Sequence, residues 1–122
     1  MRPNFTVVTL AAFAALGAMA GLSAALPAQA DAPTEVVKLA LKDHRFTPDA
    51  LTVPAGRKIR IELTNLDGAL EEFDSVDLHV EKDVAPHGHV AFEVGPLAPG
   101  SYAFMGELHA DTAQGELRAV AP

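Results

Sequence analysis

The sequence predicts an all-β domain, an antiparallel β-sandwich of about seven short strands, and three observations support this. Apolar and polar residues alternate with a period of two in several segments, as in strands with one buried face. Turns that contain Gly or Pro separate these segments. Beyond the first thirty residues, no segment shows the period of an amphipathic helix. An immunoglobulin-like domain and an open barrel are alternatives that the pattern leaves open.

The elements follow in order from local patterns. Apolar residues from Val36 to Leu41 surround Lys38 and predict the first strand, and the short second strand stops at Pro54. The third strand alternates best over 57–66, and alternation also predicts strands at 76–81 and 90–94. Two further strands close the domain after the Pro- and Gly-containing connection at 96–100. The predicted strands are 35–42, 51–53, 57–66, 76–81, 90–94, 102–105 and 117–120, with a loop at 65–74.

The first thirty residues have the pattern of a secretory signal peptide. Arg2 gives a positive start, residues 7–26 are almost wholly apolar, and Ala28-Gln29-Ala30 places small residues before a cleavage site. A membrane anchor is the alternative. We therefore expect a cleaved signal peptide at 1–30, a domain at 31–122 and a periplasmic location.

Composition excludes several kinds of function. Sixteen acidic residues against nine basic ones argue against nucleic-acid binding and favour cations or basic partners. The chain has no cysteine, so it has neither a disulfide nor a thiolate ligand. No G-x-S-x-G motif and no Gly-rich phosphate loop is present, which disfavours hydrolase and nucleotide chemistry.

Local motifs resemble those of the cupredoxins, in the same order and spacing over about residues 36–120. Residues 46–56 are similar to the pattern F-x-P-x-x-L-x-V-P-A-G, and residues 99–104 to the P-G-x-Y-x-F run before the metal loop. Residues 115–117 resemble the opening of the last strand. The resemblance implies a cupredoxin-like Greek-key antiparallel β-sandwich.

The positions of the blue-copper ligands differ from that family. Met105 stands where the resemblance places the cysteine, while His109 stands at the expected histidine. The late methionine position falls near Ala113 or Gln114, and residues 71–74 replace the upstream histidine. A type 1 copper site depends on a copper–thiolate bond, so that function is rejected.

A narrower resemblance joins residues 42–46, 71–75 and 104–109 to the periplasmic cupredoxin-like component of bacterial ferrous-iron uptake systems. This resemblance implies two partners, a periplasmic iron-binding protein and an inner-membrane iron permease, with contact to the membrane only through partners. It also implies a role in oxidising Fe²⁺ or transferring it, with copper or iron as the bound ion. The residues alone leave open whether the chain is an enzyme of ferroxidase type.

In a cupredoxin-like sandwich, the loops near His44, at 66–75 and at 105–115 would meet at one pole. Imidazole suits copper, iron and zinc, carboxylate suits iron, and thioether suits Cu(I). Carboxylates also stabilise Fe³⁺ over Fe²⁺, since a hard anion gains more from the higher charge. We therefore predict a metal site formed by His44, Glu72, Met105, Glu107 and His109, with Asp74 ranked below Glu72.

Each of these residues has a simpler interpretation, and other functions stay open. Met105 could fill the core, Glu72 could be one of a solvated acidic pair, and the histidines could be surface residues. The roles of His79, His87 and His89 are left open. A copper carrier without redox turnover and a metal-free interaction module are the competing functions.

Overall fold

The computed structural model describes residues 32–122, and the predicted signal peptide and its cleavage site lie outside this range. Within the described residues there are nine strands, one 3₁₀ helix and no α-helix, so the all-β prediction is confirmed. None of the helical structure in this part of the chain is long and apolar enough to cross a membrane. The elements are β1 (Glu35–Lys42), β2 (Arg45–Thr47), β3 (Ala50–Pro54), β4 (Ile59–Asn65), β5 (Glu71–Ser75), β6 (Val80–Val84), β7 (His89–Val94), β8 (Gly100–Gly106), the 3₁₀ helix Glu107–His109 and β9 (Gln114–Val120).

The strands form two mixed sheets, in the orders β2-β1-β4-β7 and β3-β9-β8-β5-β6. Strand β1 pairs in parallel with β4, and β3 pairs in parallel with β9. The predicted β-sandwich is confirmed, but these two pairs depart from antiparallel pairing and make both sheets mixed. The chain leaves the first sheet after β2, contributes β3 to the second sheet and then returns as β4. A strand that returns to its sheet after such an excursion can lie parallel to the earlier strand.

The alternation predicted for the third strand is confirmed in β4. Ile59, Ile61 and Leu63 have no exposed surface and face the second sheet. Between the sheets, the ring of Phe73 lies 5.1 Å from that of Phe104 and 4.9 Å from that of Phe92, measured between centroids. These contacts place the aromatic part of the core against β5 and β8. The chain segments at the ends of these two strands carry the candidate site.

The segment between β4 and β7 differs from the prediction. Residues 71–75 form β5 instead of a loop, and residues 76–79 form a turn instead of a strand. The inward positions of β5 are Glu71, Phe73 and Ser75, and two polar residues among three conceal the alternation. The apolar pattern at 76–80 is misleading because Val76 is 78% exposed. With β5 and the three-residue β2, residues 32–122 contain nine strands instead of about seven.

One end of the sandwich is held together by the buried side chain of Asn65, the last residue of β4. Its amide nitrogen donates to the carbonyl of Ala69 at 2.8 Å and to those of Val84 and Ala85 at 3.2 Å. These bonds fix the loop after β4 against the end of β6. The β1–β2 turn, the start of β5 and the 3₁₀ helix lie at this same end.

Candidate metal centre

His44 occupies a tight turn between β1 and β2. Asp43 and His44 both have left-handed backbone conformations, with φ of 52° and 55°. The carboxylate of Asp67 accepts both of their backbone N–H groups, at 2.8 and 2.9 Å. On the opposite side, the Thr112 hydroxyl donates to the His44 carbonyl at 2.6 Å. Bonds from two distant loops therefore fix the backbone that carries the His44 imidazole.

Glu71 is the first residue of β5 and is 97% buried, with 3% of its surface exposed. Its Oε1 accepts the backbone N–H of Glu72 at 3.0 Å and that of Leu108 at 3.2 Å. Its Oε2 lies 2.5 Å from Nδ1 of His109. A buried carboxylate is costly unless it is hydrogen-bonded, and these contacts satisfy both oxygens.

Gly106 provides the space that the Glu71 carboxyl group occupies. A Cβ atom at position 106 would lie 2.8 Å from Cδ of Glu71 and 2.8 Å from Cβ of Ala113. Both distances are shorter than carbon–carbon van der Waals contact. Any side chain at 106 would therefore displace the carboxylate or the loop beyond it.

His109 ends the 3₁₀ helix and lies against His44. The two imidazole rings are stacked, with centroids 3.7 Å apart and an interplanar angle of 11°. The backbone N–H of Ala113 donates to the His109 carbonyl at 2.9 Å and closes the loop after the helix. Each of His44, Glu71 and His109 offers one donor atom, and the three donor atoms lie within 4.8 Å of one another.

The chemistry of this cluster fits a transition-metal ion of borderline hardness. Two imidazoles and a carboxylate are ligands that zinc, copper(II) and iron(II) accept. Nδ1 of His44 is buried and has no hydrogen-bond partner among the described residues. The nearest acidic oxygen, Oδ2 of Asp67, is 3.6 Å away, too long for a hydrogen bond. A buried nitrogen without a partner is available to bind a cation, whereas the lack of any thiolate does not fit a blue-copper centre.

A second group of donors lies on the outer face of the second sheet. Glu72 points away from the core, and its carboxylate lies within 4.8 Å of the donor atoms of Glu81 and Glu107. Loss of hydration raises the pKa of Glu72 to about 7, and the charge of Glu107 and its hydrogen bond to Glu72 add to the rise. The negative charges of Glu81 and Asp83 raise this pKa further.

The residues predicted for one metal site therefore lie in two places. His44 and His109 are together, whereas Glu72 and Glu107 belong to the outer acidic group. Met105 is exposed on β8 and pairs with Asp74 of β5, which also places it on the outer face. The physical reason is strand alternation, which turns neighbouring residues of β5 to opposite faces.

Glu71 is the donor that the sequence-based prediction did not select from the Glu71–Glu72 pair. The signal that identifies it is the position of Phe73. An aromatic residue of a half-buried strand faces the core, so the residue two positions before it faces the core as well. This inference requires that 71–75 be recognised as a strand.

The other three histidines belong to neither group of donors, although His79 lines the same surface pocket as Glu81 and Glu107. His79 is exposed in the turn after β5, with a left-handed φ of 56°. His87 is also left-handed, and its backbone N–H donates to the carbonyl of Asp67 at 3.0 Å. His89 is exposed at the start of β7. Among the described residues, none of the three joins a cluster of metal donors.

Comparison with known proteins agrees with this architecture. The model of the family described as "Cupredoxin-like domain" matches residues 9–119. An uncharacterised protein of Rickettsia prowazekii (strain Madrid E) is 48% identical over 79 residues, which are 65% of this chain and 63% of that protein. The chain thus matches less than two thirds of that relative's length.

Two solved structures illustrate the similarity in fold. Auracyanin A, a "blue" copper protein of Chloroflexus aurantiacus, has a TM-score of 0.62 at 14% identity, covering 72% of this chain and 100% of auracyanin. The metal-binding domain of the Cu(I)-exporting P-type ATPase CopA of Streptococcus pneumoniae D39, solved with Cu(I), has a TM-score of 0.64 at 10% identity. That match covers 71% of this chain and 86% of the domain. At such identities the similarity concerns the fold.

Proposed function

This chain belongs to the cupredoxin-like domain family, and from that premise we propose that it is a periplasmic protein that binds a transition-metal ion through His44, Glu71 and His109. The observation that carries the proposal is the convergence of two imidazoles on a buried carboxylate at one end of the sandwich. Residues 1–30, with the pattern of a signal peptide, support the periplasmic location.

The three residues have distinct tasks in this site. Glu71 supplies a buried carboxylate. Its contact with Nδ1 also orients the imidazole of His109. His44 supplies a nitrogen that has no competing partner among the described residues. A bound copper or iron ion would supply one-electron chemistry or act as cargo. Because the imidazoles must be unprotonated to bind a cation, affinity should fall on acidification.

The finer part of the proposal is assistance in ferrous-iron uptake. Each of the three segments that resemble the iron-uptake component contains one donor: His44 in 42–46, Glu71 in 71–75 and His109 in 104–109. A buried carboxylate favours Fe³⁺ over Fe²⁺ because the hard anion interacts more strongly with the higher charge. The protein would then transfer one electron from Fe²⁺ to an acceptor such as O₂, which yields Fe³⁺, or it would hand Fe²⁺, with a periplasmic iron-binding protein, to an inner-membrane iron permease.

A copper carrier without redox turnover is the second candidate. Of the structurally similar proteins, auracyanin A is a "blue" copper protein, and the CopA domain was solved with Cu(I). Two imidazoles and a carboxylate also accept Cu²⁺. Met105 lies on the outer face, away from His109, so this role would use His44, Glu71 and His109 instead of a thioether ligand.

Adjacent glutamates provide a matched test. Glu71→Gln should lower the affinity for Cu²⁺ or Zn²⁺ by at least about 10–100-fold, as for changes in groups that support ligands, and His109→Ala should do the same. Glu72→Gln makes the same substitution one residue away, on the outer face of the sheet, and should leave affinity at this site nearly unchanged. Titration calorimetry measures the affinities. Equal effects of the two glutamine variants, or unchanged affinity in His109→Ala, would refute the site.

The choice between iron and copper needs a second measurement. Fe²⁺ oxidation is followed by stopped flow with O₂ as the electron acceptor, with and without added Cu²⁺. The iron proposal expects a rate above the protein-free control that Glu71→Gln abolishes. A protein that binds Cu²⁺ through the same residues but leaves this rate unchanged would be a carrier.

A further inference from the structure

The turn that carries His44 is unusual in its composition. Two consecutive residues, Asp43 and His44, adopt left-handed φ values between β1 and β2. Two-residue hairpin turns of this kind favour Asn-Gly or Asp-Gly, because glycine accepts a positive φ without steric cost. A histidine at the second position has a Cβ that disfavours this conformation. The conformation therefore depends on support from outside the turn.

Asp67 supplies this support from a loop more than twenty residues away in the sequence. One carboxylate oxygen accepts the N–H of Asp43 and the other accepts the N–H of His44, at 2.8 and 2.9 Å. The hydrogen bond from the His44 backbone is the largest cause of a lowered pKa at Asp67, which keeps the carboxyl group charged. Charged acceptors make stronger hydrogen bonds than neutral ones.

Asp67 is itself fixed to the framework. Its backbone N–H donates to Oδ1 of Asn65 at 3.0 Å, and its carbonyl accepts the N–H of His87 at 3.0 Å. Asn65 is buried and bonded to three backbone carbonyls. A continuous set of hydrogen bonds thus connects the end of β4 to the backbone of His44.

We propose that Asp67 is a positioning residue whose carboxylate holds the β1–β2 turn so that the His44 ring stacks on His109 and its nitrogen faces the metal site. The part that concerns the metal rests on the function proposed above. The part that concerns the ring position does not, since the stacking and both Asp67 hydrogen bonds are contacts between protein atoms alone.

The test is Asp67→Asn, which keeps the size of the side chain but replaces one acceptor oxygen with an amide donor. In metal-free protein, nuclear Overhauser contacts between the two imidazole rings should be lost, while those among the core phenylalanines persist. Affinity for Cu²⁺ or Zn²⁺ should fall about 10–100-fold, the range for groups that orient metal ligands. Retained ring contacts in Asp67→Asn would overturn the proposal.

Two controls separate positioning from charge. Asp111→Asn removes a carboxylate from an exposed position in the loop after the 3₁₀ helix and should change neither ring contacts nor affinity. If Asp67 acted only by attracting the cation, its effect would shrink at high salt and the ring contacts would remain, which contradicts positioning.

A second substitution that eases the positive φ of the turn should partly reverse the effect of Asp67→Asn. Asp43→Gly places in the turn a residue that adopts positive φ freely. Combined with Asp67→Asn, it should restore part of the ring contact and part of the affinity. A double variant no better than Asp67→Asn would count against the turn as the route by which Asp67 acts.

The same set of variants distinguishes the two proposals. If His44→Ala and His109→Ala leave metal affinity unchanged, the metal-binding function fails. The ring contacts of metal-free Asp67→Asn still decide whether Asp67 positions His44.

Discussion

At the scale of single residues, the direction of a side chain decides whether it belongs to the candidate metal centre. Glu71 and Glu72 are chemically identical neighbours, yet one is buried against His109 and the other faces two glutamates at the surface. From this pair the sequence predicted Glu72, because choosing Glu71 requires knowing that 71–75 is a strand and which of its faces points inward. His44 and His109 were predicted from the resemblance, and the structure brings them into contact.

Glu72 should make stability depend on pH. Its pKa is raised from 4.5 to about 7 in the folded state, so its contribution to stability is present below pH 4.5 and is lost as pH rises through 7. Glu72→Gln should therefore raise the melting temperature at pH 8 relative to wild type and change it little at pH 4. Thermal unfolding followed by circular dichroism at both pH values measures this. An equal shift at the two pH values would contradict the assignment.

Gly106→Ala tests the space beside Glu71. The new methyl group would contact the Glu71 carboxyl and Ala113 at 2.8 Å, and overpacking of this kind costs about 1–3 kcal/mol. Displacement of the carboxylate should also lower the affinity of the protein for a metal ion. Gly68→Ala is the matched control, because its Cβ would meet only Nε2 of His87, at an ordinary 3.6 Å. Urea unfolding and calorimetry measure the two effects, and equal stability of both variants would refute this account.

At the scale of elements, strands with strong alternation were predictable and β5 was not. In β4 every inward position before Asn65 is apolar, whereas β5 places Glu71 and Ser75 inward for hydrogen bonding. The polar residues that conceal β5 from pattern analysis are thus the ones with structural or proposed metal-binding tasks. A period-two pattern measures burial of apolar side chains and cannot report burial of polar ones.

Ser75 fixes the turn that was predicted to be a strand. Its hydroxyl donates to the Ala103 carbonyl at 2.6 Å and accepts the N–H of Leu78 at 3.0 Å. Ser75→Ala leaves both groups unpaired and should lower the free energy of unfolding by about 1–3 kcal/mol. Ser101→Ala, which removes an exposed hydroxyl from β8, should change it by less than about 0.5 kcal/mol. Urea denaturation compares them, and similar costs would show that the Ser75 bonds do not hold the turn.

At the scale of the whole molecule, motif order predicted the family and the end of the sandwich where the loops meet. Composition alone did not, since alternation and turns fit several β architectures. The mixed pairing of β1 with β4 and of β3 with β9 was not predictable from pattern. Pairing partners depend on how the chain crosses between sheets, and local periodicity carries no information about that path.

The location of the mature protein is also a whole-molecule prediction. If Ala28-Gln29-Ala30 is a cleavage site, intact-mass analysis of a periplasmic extract should find Asp31 as the first residue. Ala28 and Ala30 both replaced by Arg should leave the precursor uncleaved, because a signal peptidase requires small residues there. Full-length wild-type protein retained in the membrane fraction would instead support the anchor.

The position of His44 relative to Glu71 and His109 has a mechanical consequence. His44 follows β1 of the first sheet, whereas Glu71 and His109 belong to or follow strands of the second. A cation held by all three would cross-link the sheets at one end, as a disulfide does in other sandwiches, in a chain that has no cysteine. Because such a cation binds the folded chain, its binding would stabilise the contact between the two sheets, and its dissociation would weaken that contact. Delivery of the metal would then change the rigidity of the end of the molecule at which the ion departs.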